Sequence, residues 1–251
     1  AIIRVAEVSS ARGEGILPSA HGGWSVWNSL SWSRPAMIEL PAKKGQCAVD
    51  SAGNALPGQW IGTGKDRRLL ALLPELPPIG AVGVRLAKGE PAEPTQTVAA
   101  KAAGGGAVME NEHYRVKIDR RGEIVELVDK SVGRQLVPAG SAMNRLELYR
   151  DNPISWDAWD IDVSYKANPV ALGPAESVKV AAAGPLEARV AVERKIGRSL
   201  LTQQIVLRAG ARRIDFETHV DWQETHRLLK VAFPADLTGV TLRGEIQFGH
   251  V

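Results

Sequence analysis

The chain has only one cysteine, Cys47, among its 251 residues. No internal disulfide can form, so stability must come from packing, and a reducing compartment, the cytoplasm, is the expected location. No apolar run approaches the ~20 residues of a helical membrane span, no signal-peptide pattern opens the chain, and no Asn-x-Ser/Thr sequon occurs. Excess charge is small: 31 Lys and Arg face 28 Asp and Glu, a net charge of +3. The basic pairs Arg67-Arg68, Arg120-Arg121 and Arg212-Arg213 sit beside turn residues, as solvated loop charges do. Nucleic-acid binding calls for a clustered basic face with interleaved aromatics, which is lacking. Neither a nucleic-acid nor a membrane partner is expected. A Gly-x-Ser-x-Gly nucleophile elbow is also absent. Gly62-Thr63-Gly64-Lys65 fails as a phosphate loop, because Gln59 stands where the first glycine belongs and Asp66 replaces the magnesium-holding Ser/Thr.

Strand signals are what the chain does have. Hydrophobic content of 44% and charged content of 24% are ordinary for a globular protein, and the length allows one large β domain or two smaller ones. Val82, Val84 and Leu86 alternate with Gly83 and Arg85, and Tyr114, Val116 and Ile118 alternate with Arg115 and Lys117. Arg121-Gly122 turns the chain into residues 123–128, which predicts a hairpin. Leu146 and Leu148 flank Glu147. Leu186, Ala188, Val190 and Val192 share one face, with Glu187, Arg189 and Glu193 opposite. The longest alternation sets Ile214, Phe216, Thr218, Val220 and Trp222 toward a core and Asp215, Glu217, His219 and Asp221 toward solvent. The apolar run at 69–73 ends at Pro74, and Pro77-Pro78 forbids a helix. The expected architecture is all-β, an antiparallel β-sandwich. Residues 1–23 read as a linker remnant, 24–94 as a small β-sandwich, 95–106 as a Pro/Ala/Thr/Gly-rich linker, and 107–251 as a large β-sandwich.

One stretch departs from this pattern: Asn152-Pro153-Ile154-Ser155-Trp156-Asp157-Ala158-Trp159-Asp160-Ile161-Asp162. A strand does not need two tryptophans and three carboxylates so close together, and a core cannot easily bury them. Indole faces stack on sugar rings, and carboxylates accept hydrogen bonds from vicinal hydroxyls or act in glycosidic chemistry. Carbohydrate is therefore the first ligand class. The competing reading is a loop whose tryptophans plug a gap between sheets while its aspartates cap turns. A calcium site on Asp157, Asp160 and Asp162 lacks the turn glycine and closing glutamate of an EF-hand. Asp157 and Asp160 could pair as glycosidase carboxylates, but any acidic loop offers such a pair. Glu217, His219 and Asp221, with His226 after the turn, suggest zinc, yet alternation alone predicts that polar outer face.

The motifs around the stretch are specific when taken in order. Trp27-Asn28-Ser29-Leu30-Ser31-Trp32-Ser33-Arg34 comes first, then Asn111-Glu112-His113-Tyr114-Arg115-Val116 with Asp129-Lys130. Asn144-Arg145-Leu146-Glu147-Leu148-Tyr149-Arg150-Asp151-Asn152-Pro153 leads into Trp156-Asp157-Ala158-Trp159-Asp160. Arg213-Ile214-Asp215-Phe216-Glu217-Thr218 and Val220-Asp221-Trp222 precede His226-Arg227-Leu228-Leu229-Lys230-Val231-Ala232-Phe233-Pro234, and Glu245-Ile246-Gln247-Phe248-Gly249-His250 closes the series. Together they resemble the C-terminal β-region of family 38 glycoside hydrolases, the α-mannosidases. The resemblance implies a supersandwich similar to the galactose-mutarotase fold. It also implies a parent that hydrolyses terminal α-linked mannose with retention, using an aspartate nucleophile and a zinc ion on an N-terminal barrel. No segment here matches that barrel, and the chain stops before the family's Arg-Pro-Thr-His stretch. The expectation is a fragment that is inactive alone, holds no catalytic residue and no metal, and has as partners the parent's barrel and mannose-containing oligosaccharides. Asp151, Trp156, Asp157, Trp159 and Asp160 are its expected substrate-rim or interdomain residues. The alternative is a free-standing carbohydrate-binding β-sandwich without catalysis; a purely structural module is the third possibility.

Overall fold

The computed structural model describes residues 23–156, 159–239, 245–246 and 248–250. Residues 1–22 of the expected linker, and Asp157 of the expected site, lie outside the described residues. Among the described residues the chain is all-β, as the alternation predicts, and only the 3-10 turns Gly64–Asp66 and Val163–Ala167 are helical. It divides into two compact units, residues 1–100 with 180–190 and 206–215, and residues 101–179 with 191–205 and 216–251.

The first unit contains β1 (Gly23–Asn28), β2 (Arg34–Leu40), β3 (Gln46–Val49), β4 (Gly58–Ile61), β5 (Arg68–Leu76) and β6 (Gly80–Lys88). They form two three-stranded antiparallel sheets, β1-β6-β3 and β2-β5-β4. Ala36, Ile38 and Leu40 point one way from β2 at the strand period of two. They meet Leu69, Ala71, Leu73 and Leu76 of β5 and Val26, Ala48 and Val84 of the other sheet in one buried cluster. Gln59 is a buried polar residue that is fully used: its Nε2 donates to the Glu187 carbonyl at 2.8 Å, and its Oε1 accepts from the Leu186 and Glu187 amides, each at 2.7 Å.

The remaining strands are β7 (Ala99–Ala103), β8 (Gly106–Glu110), β9 (Tyr114–Ile118), β10 (Ile124–Asp129), β11 (Arg134–Gln135), β12 (Arg145–Arg150), β13 (Pro169–Val170), β14 (Ser177–Ala183), β15 (Glu187–Ile196), β16 (Ser199–Arg208), β17 (Ile214–Asp221), β18 (Arg227–Ala232), β19 (Glu245–Ile246) and β20 (Gly249–His250). A five-stranded sheet has the order β11-β10-β9-β8-β7, a three-stranded sheet β13-β12-β18, and a four-stranded sheet β14-β15-β16-β17. The expected hairpin is β9–β10, with a bulge between Ile124 and Glu126. Within the second unit, Leu146 and Leu148 of β12 and Leu229 of β18 pack with Ile196, Leu201 and Val220, so two sheets share a core.

The strand pattern misplaces several side chains. β5 does not end at Pro74 but runs to Leu76, because its register with β2 slips by one residue there and a bulge tolerates the missing N–H. Glu187, placed on the outer face of β15, is fully buried. Arg208 Nε donates to its Oε2 at 2.9 Å and Arg189 Nε to its Oε1, and these two guanidiniums offset the cost of burying the carboxylate. Arg208 also bonds Asp215, whose Oδ1 takes Arg213 Nε at 2.8 Å, so Asp215 is not a free outer-face residue. The apolar face of β17 is not a buried core face: Thr218 is exposed, Ile214, Phe216 and Val220 are half-buried, and Trp222 is exposed. β17 is the edge strand of its sheet, so it has one sheet neighbour instead of two. Phe216 is covered edge-on by Phe233, with ring centroids 5.2 Å apart.

Candidate functional site

The Trp/Asp stretch forms a loop rooted on the β12–β18 pair. The two strands are in register from Arg145↔Ala232 to Arg150↔Arg227. Beyond that pair, the Asp151 N–H donates to the His226 carbonyl at 3.0 Å, and the Arg150 N–H donates to the Asn168 carbonyl at 2.9 Å. The chain therefore leaves the sheet at 151 and returns at 168 with its ends tied side by side, the plan of an Ω-loop. Pro153 follows the departure and removes a donor that could have continued the ladder.

Of the expected site residues, Trp156, Trp159 and Asp160 are brought into one tight turn, whose Trp156 carbonyl accepts from the Trp159 N–H at 3.0 Å and the Asp160 N–H at 3.1 Å. Asp151 stands at the root of the loop, half-buried. Trp156 has a φ of +64°, a left-handed conformation that costs a bulky residue about 1–3 kcal/mol. Asp160 Oδ1 accepts from the Ile161 N–H at 2.9 Å. Asp162 Oδ1 accepts from the Ser164 N–H at 2.9 Å and caps the 3-10 turn, and this bond holds its carboxyl below the ordinary value. Large apolar side chains stand outward: Ile154 is 93% exposed, Trp156 75%, Trp159 89%, Ile161 51% and Val163 76%.

The returning limb is held by side chains. Tyr165 meets the Tyr149 ring edge-on at 5.0 Å and 81°. Lys230 Nζ lies 4.9 Å from the Tyr165 ring centroid and donates to its hydroxyl at 2.7 Å. Lys230 faces Glu147 across the strand pair. Glu147 Oε1 accepts from Arg145 Nη2 at 2.7 Å and Oε2 from the Tyr149 hydroxyl at 2.8 Å. The Arg145 bond first, and the Tyr149 bond next, hold the Glu147 carboxyl below its ordinary 4.5, and the same bond to Glu147 holds the Tyr149 phenol above its ordinary 10.0.

Residues 109–251 match the model of the glycosyl hydrolases family 38 C-terminal domain. This chain belongs to that family. It is similar to alpha-mannosidase 2C1 of Homo sapiens, 31% identical over 232 residues that make up 91% of this chain and 20% of the relative. The protein of that name from Mus musculus is 31% identical over 233 residues, again 91% and 20%. Alpha-mannosidase G of Dictyostelium discoideum is 30% identical over 168 residues, 64% of this chain and 15% of the relative. The chain thus spans about a fifth of the length of these two alpha-mannosidase 2C1 relatives.

The family 38 match covers the whole loop and both strands that root it. Among the described residues there is no group of three or more His, Cys, Asp or Glu side chains that could hold a metal ion. Glu217, His219 and Asp221 are exposed on β17. A cleft of about 450 Å³ opens in the first unit, lined by Met37, Leu72, Arg208, Arg213 and Asp215 among others; none of the expected loop residues lines it. No helix among the described residues is long and apolar enough to cross a membrane. Sequence reasoning missed Glu147, Tyr149, Tyr165 and Lys230. Three of them, Glu147, Tyr149 and Lys230, sit in quoted motifs, and the signal was available only by pairing the motif before the loop with the one that starts at residue 226.

Proposed function

We propose that this chain is the non-catalytic β-region of a longer α-mannosidase and that it buttresses the parent's N-terminal catalytic barrel. Its loop, through Asp151, Trp156, Asp157, Trp159 and Asp160, meets that barrel at the rim of the mannose pocket. The observation that carries this reading is the outward stand of Ile154, Trp156, Trp159, Ile161 and Val163 from a loop tied at both ends. Five large apolar side chains exposed on one short loop point to an interaction site, and the relatives are about five times longer than the chain. The strained Trp156 turn supports the same reading, since such backbone outliers cluster at ligand clamps.

The parent hydrolyses terminal α-linked mannose in oligosaccharides with retention. Zinc, bound on the barrel, would polarise the substrate there; this chain's own residues shape the rim, exclude water beside the indoles and accept hydrogen bonds from sugar hydroxyls. The parent works in a reducing compartment, the cytoplasm, in keeping with the single, buried and free Cys47. The test is hydrolysis of an aryl α-mannoside by the full-length parent and its Trp159→Ala variant, with and without chelator. Weakened turnover at unchanged melting temperature is the expected result. Unchanged kinetics with lowered stability assigns Trp159 to structure. The exposure of Trp156 and Trp159 also favours a second reading, a carbohydrate-binding module without chemistry. Calorimetric titration of the isolated chain with mannosides distinguishes it, because only that reading requires binding without the barrel.

A further inference from the structure

The described residues of the 151–168 loop bury little apolar surface of their own. Its large apolar side chains are exposed, and the 3-10 turn Val163–Ala167 buries no residue at all. A segment with so few buried contacts opens locally at low cost unless its base is fixed. Backbone bonds fix the two ends of the loop, Asp151–His226 at the departure and Arg150–Asn168 at the return. Inside the returning limb the side-chain fixture is Tyr165. Its ring is gripped by the Tyr149 edge on one side and the Lys230 ammonium on another, while its hydroxyl takes the Lys230 bond. Tyr149 and Lys230 come from two strands that are neighbours in the sheet but far apart in the chain.

We propose that Tyr149, Tyr165 and Lys230 form a clasp that positions the Trp156–Trp159 turn, and that these are positioning residues for the sugar rim rather than groups that touch the sugar. This rests on the rim reading above. Glu147 stands beside the clasp: it accepts from the Tyr149 hydroxyl and lies opposite Lys230 in the strand pair. The aromatic edge contact and the charge-assisted bond together bias the ordered loop by about tenfold.

The experiment uses the full-length parent with Tyr165→Leu, Lys230→Met, and the conservative variants Tyr165→Phe and Lys230→Arg. Two quantities are read: the rate of chymotrypsin cleavage after Trp156 and Trp159, and KM against kcat for an α-mannoside. Tyr165→Leu and Lys230→Met are expected to raise both cleavage and KM by about tenfold, with kcat and melting temperature little changed. Lys230→Arg recovers most of the loss, since a cationic donor survives, whereas Tyr165→Phe recovers only the share of the ring contact with Tyr149. Cleavage rates equal to those of the unmodified parent overturn the clasp, whatever the kinetics do. Faster cleavage with unchanged KM, when Trp159→Ala also leaves KM unchanged, keeps the clasp and sinks the rim reading instead.

Discussion

Replacing Glu187 by alanine tests whether a buried charge network holds the first unit. The carboxylate is 0% exposed, and the side chains of its partners Arg189 and Arg208 keep only 15% and 11% exposure. Removing it leaves two guanidiniums held out of water, with Asp215 shared between Arg208 and Arg213. Breaking a buried ion pair from one side costs about 3–5 kcal/mol, most of it the stranded charge. At about 2–4 °C per kcal/mol for a domain of this size, the melting temperature should fall by roughly 6–20 °C. Glu187→Gln keeps the shape and one acceptor oxygen but loses the charge-assisted part, so a smaller loss of about 1.5–3 kcal/mol is expected. Because Arg208 keeps Asp215 but loses its buried carboxylate partner in the single variant, Glu187→Ala with Arg208→Ala should cost less than the sum of the two. Differential scanning calorimetry of the five proteins, the parent, Glu187→Ala, Glu187→Gln, Arg208→Ala and the double variant, reads all of this. A Glu187→Ala protein melting within about 1 °C of the parent, or strictly additive costs, would refute the reasoning, because either result means the carboxylate is solvated.

Other outcomes follow from single contacts. A Cβ on Gly106 would run into the Ile118 carbonyl and the Asp119 backbone, so Gly106→Ala should cost about 1–3 kcal/mol in denaturant unfolding. Gly173→Ala, where a Cβ meets open space, should stay within about 0.5 kcal/mol of the parent. Glu147 has a folded value depressed below 4.5, so its contribution is present above that pH and is lost as pH falls through the depressed value. The stability gap between the parent and Glu147→Gln, measured as urea midpoints, should therefore close as pH drops below 4.5; a gap of constant size would mean that Arg145 and Tyr149 do not hold the carboxylate. Acrylamide should quench Trp156 and Trp159 readily in the isolated chain, where they are 75% and 89% exposed, and poorly in the full-length parent if the loop docks on the barrel.

How far the sequence could be read depends on which force placed each side chain. Where burial of apolar area decides, as for Val116 and Ile118, a period of two reads the strand and its core face directly. The same reading fails at Glu187, because periodicity registers the polarity of a residue and not the two guanidiniums that arrive from Arg189 and Arg208 to make its burial tolerable. It fails at β17 for the opposite reason: alternation is genuine there, but an edge strand with one neighbour cannot cover both halves of its pattern. The loop shows a third limit. Its unusual composition picked out Trp156, Trp159 and Asp160, and the fold does bring them into one turn. The side chains beneath them gave no local sign, since Tyr149 and Lys230 each look like an ordinary outward residue on a strand, and only the register Tyr149↔Leu228 and Glu147↔Lys230 sets them around Tyr165. Composition thus exposes residues that sit where a strand or core would not want them, whereas residues that hold such a loop in place conform to their strands and become visible only through pairing. The motif at 144–153 and the motif at 226–234 are accordingly two halves of one socket, and a substitution in either should be felt at the tryptophans rather than where it is made.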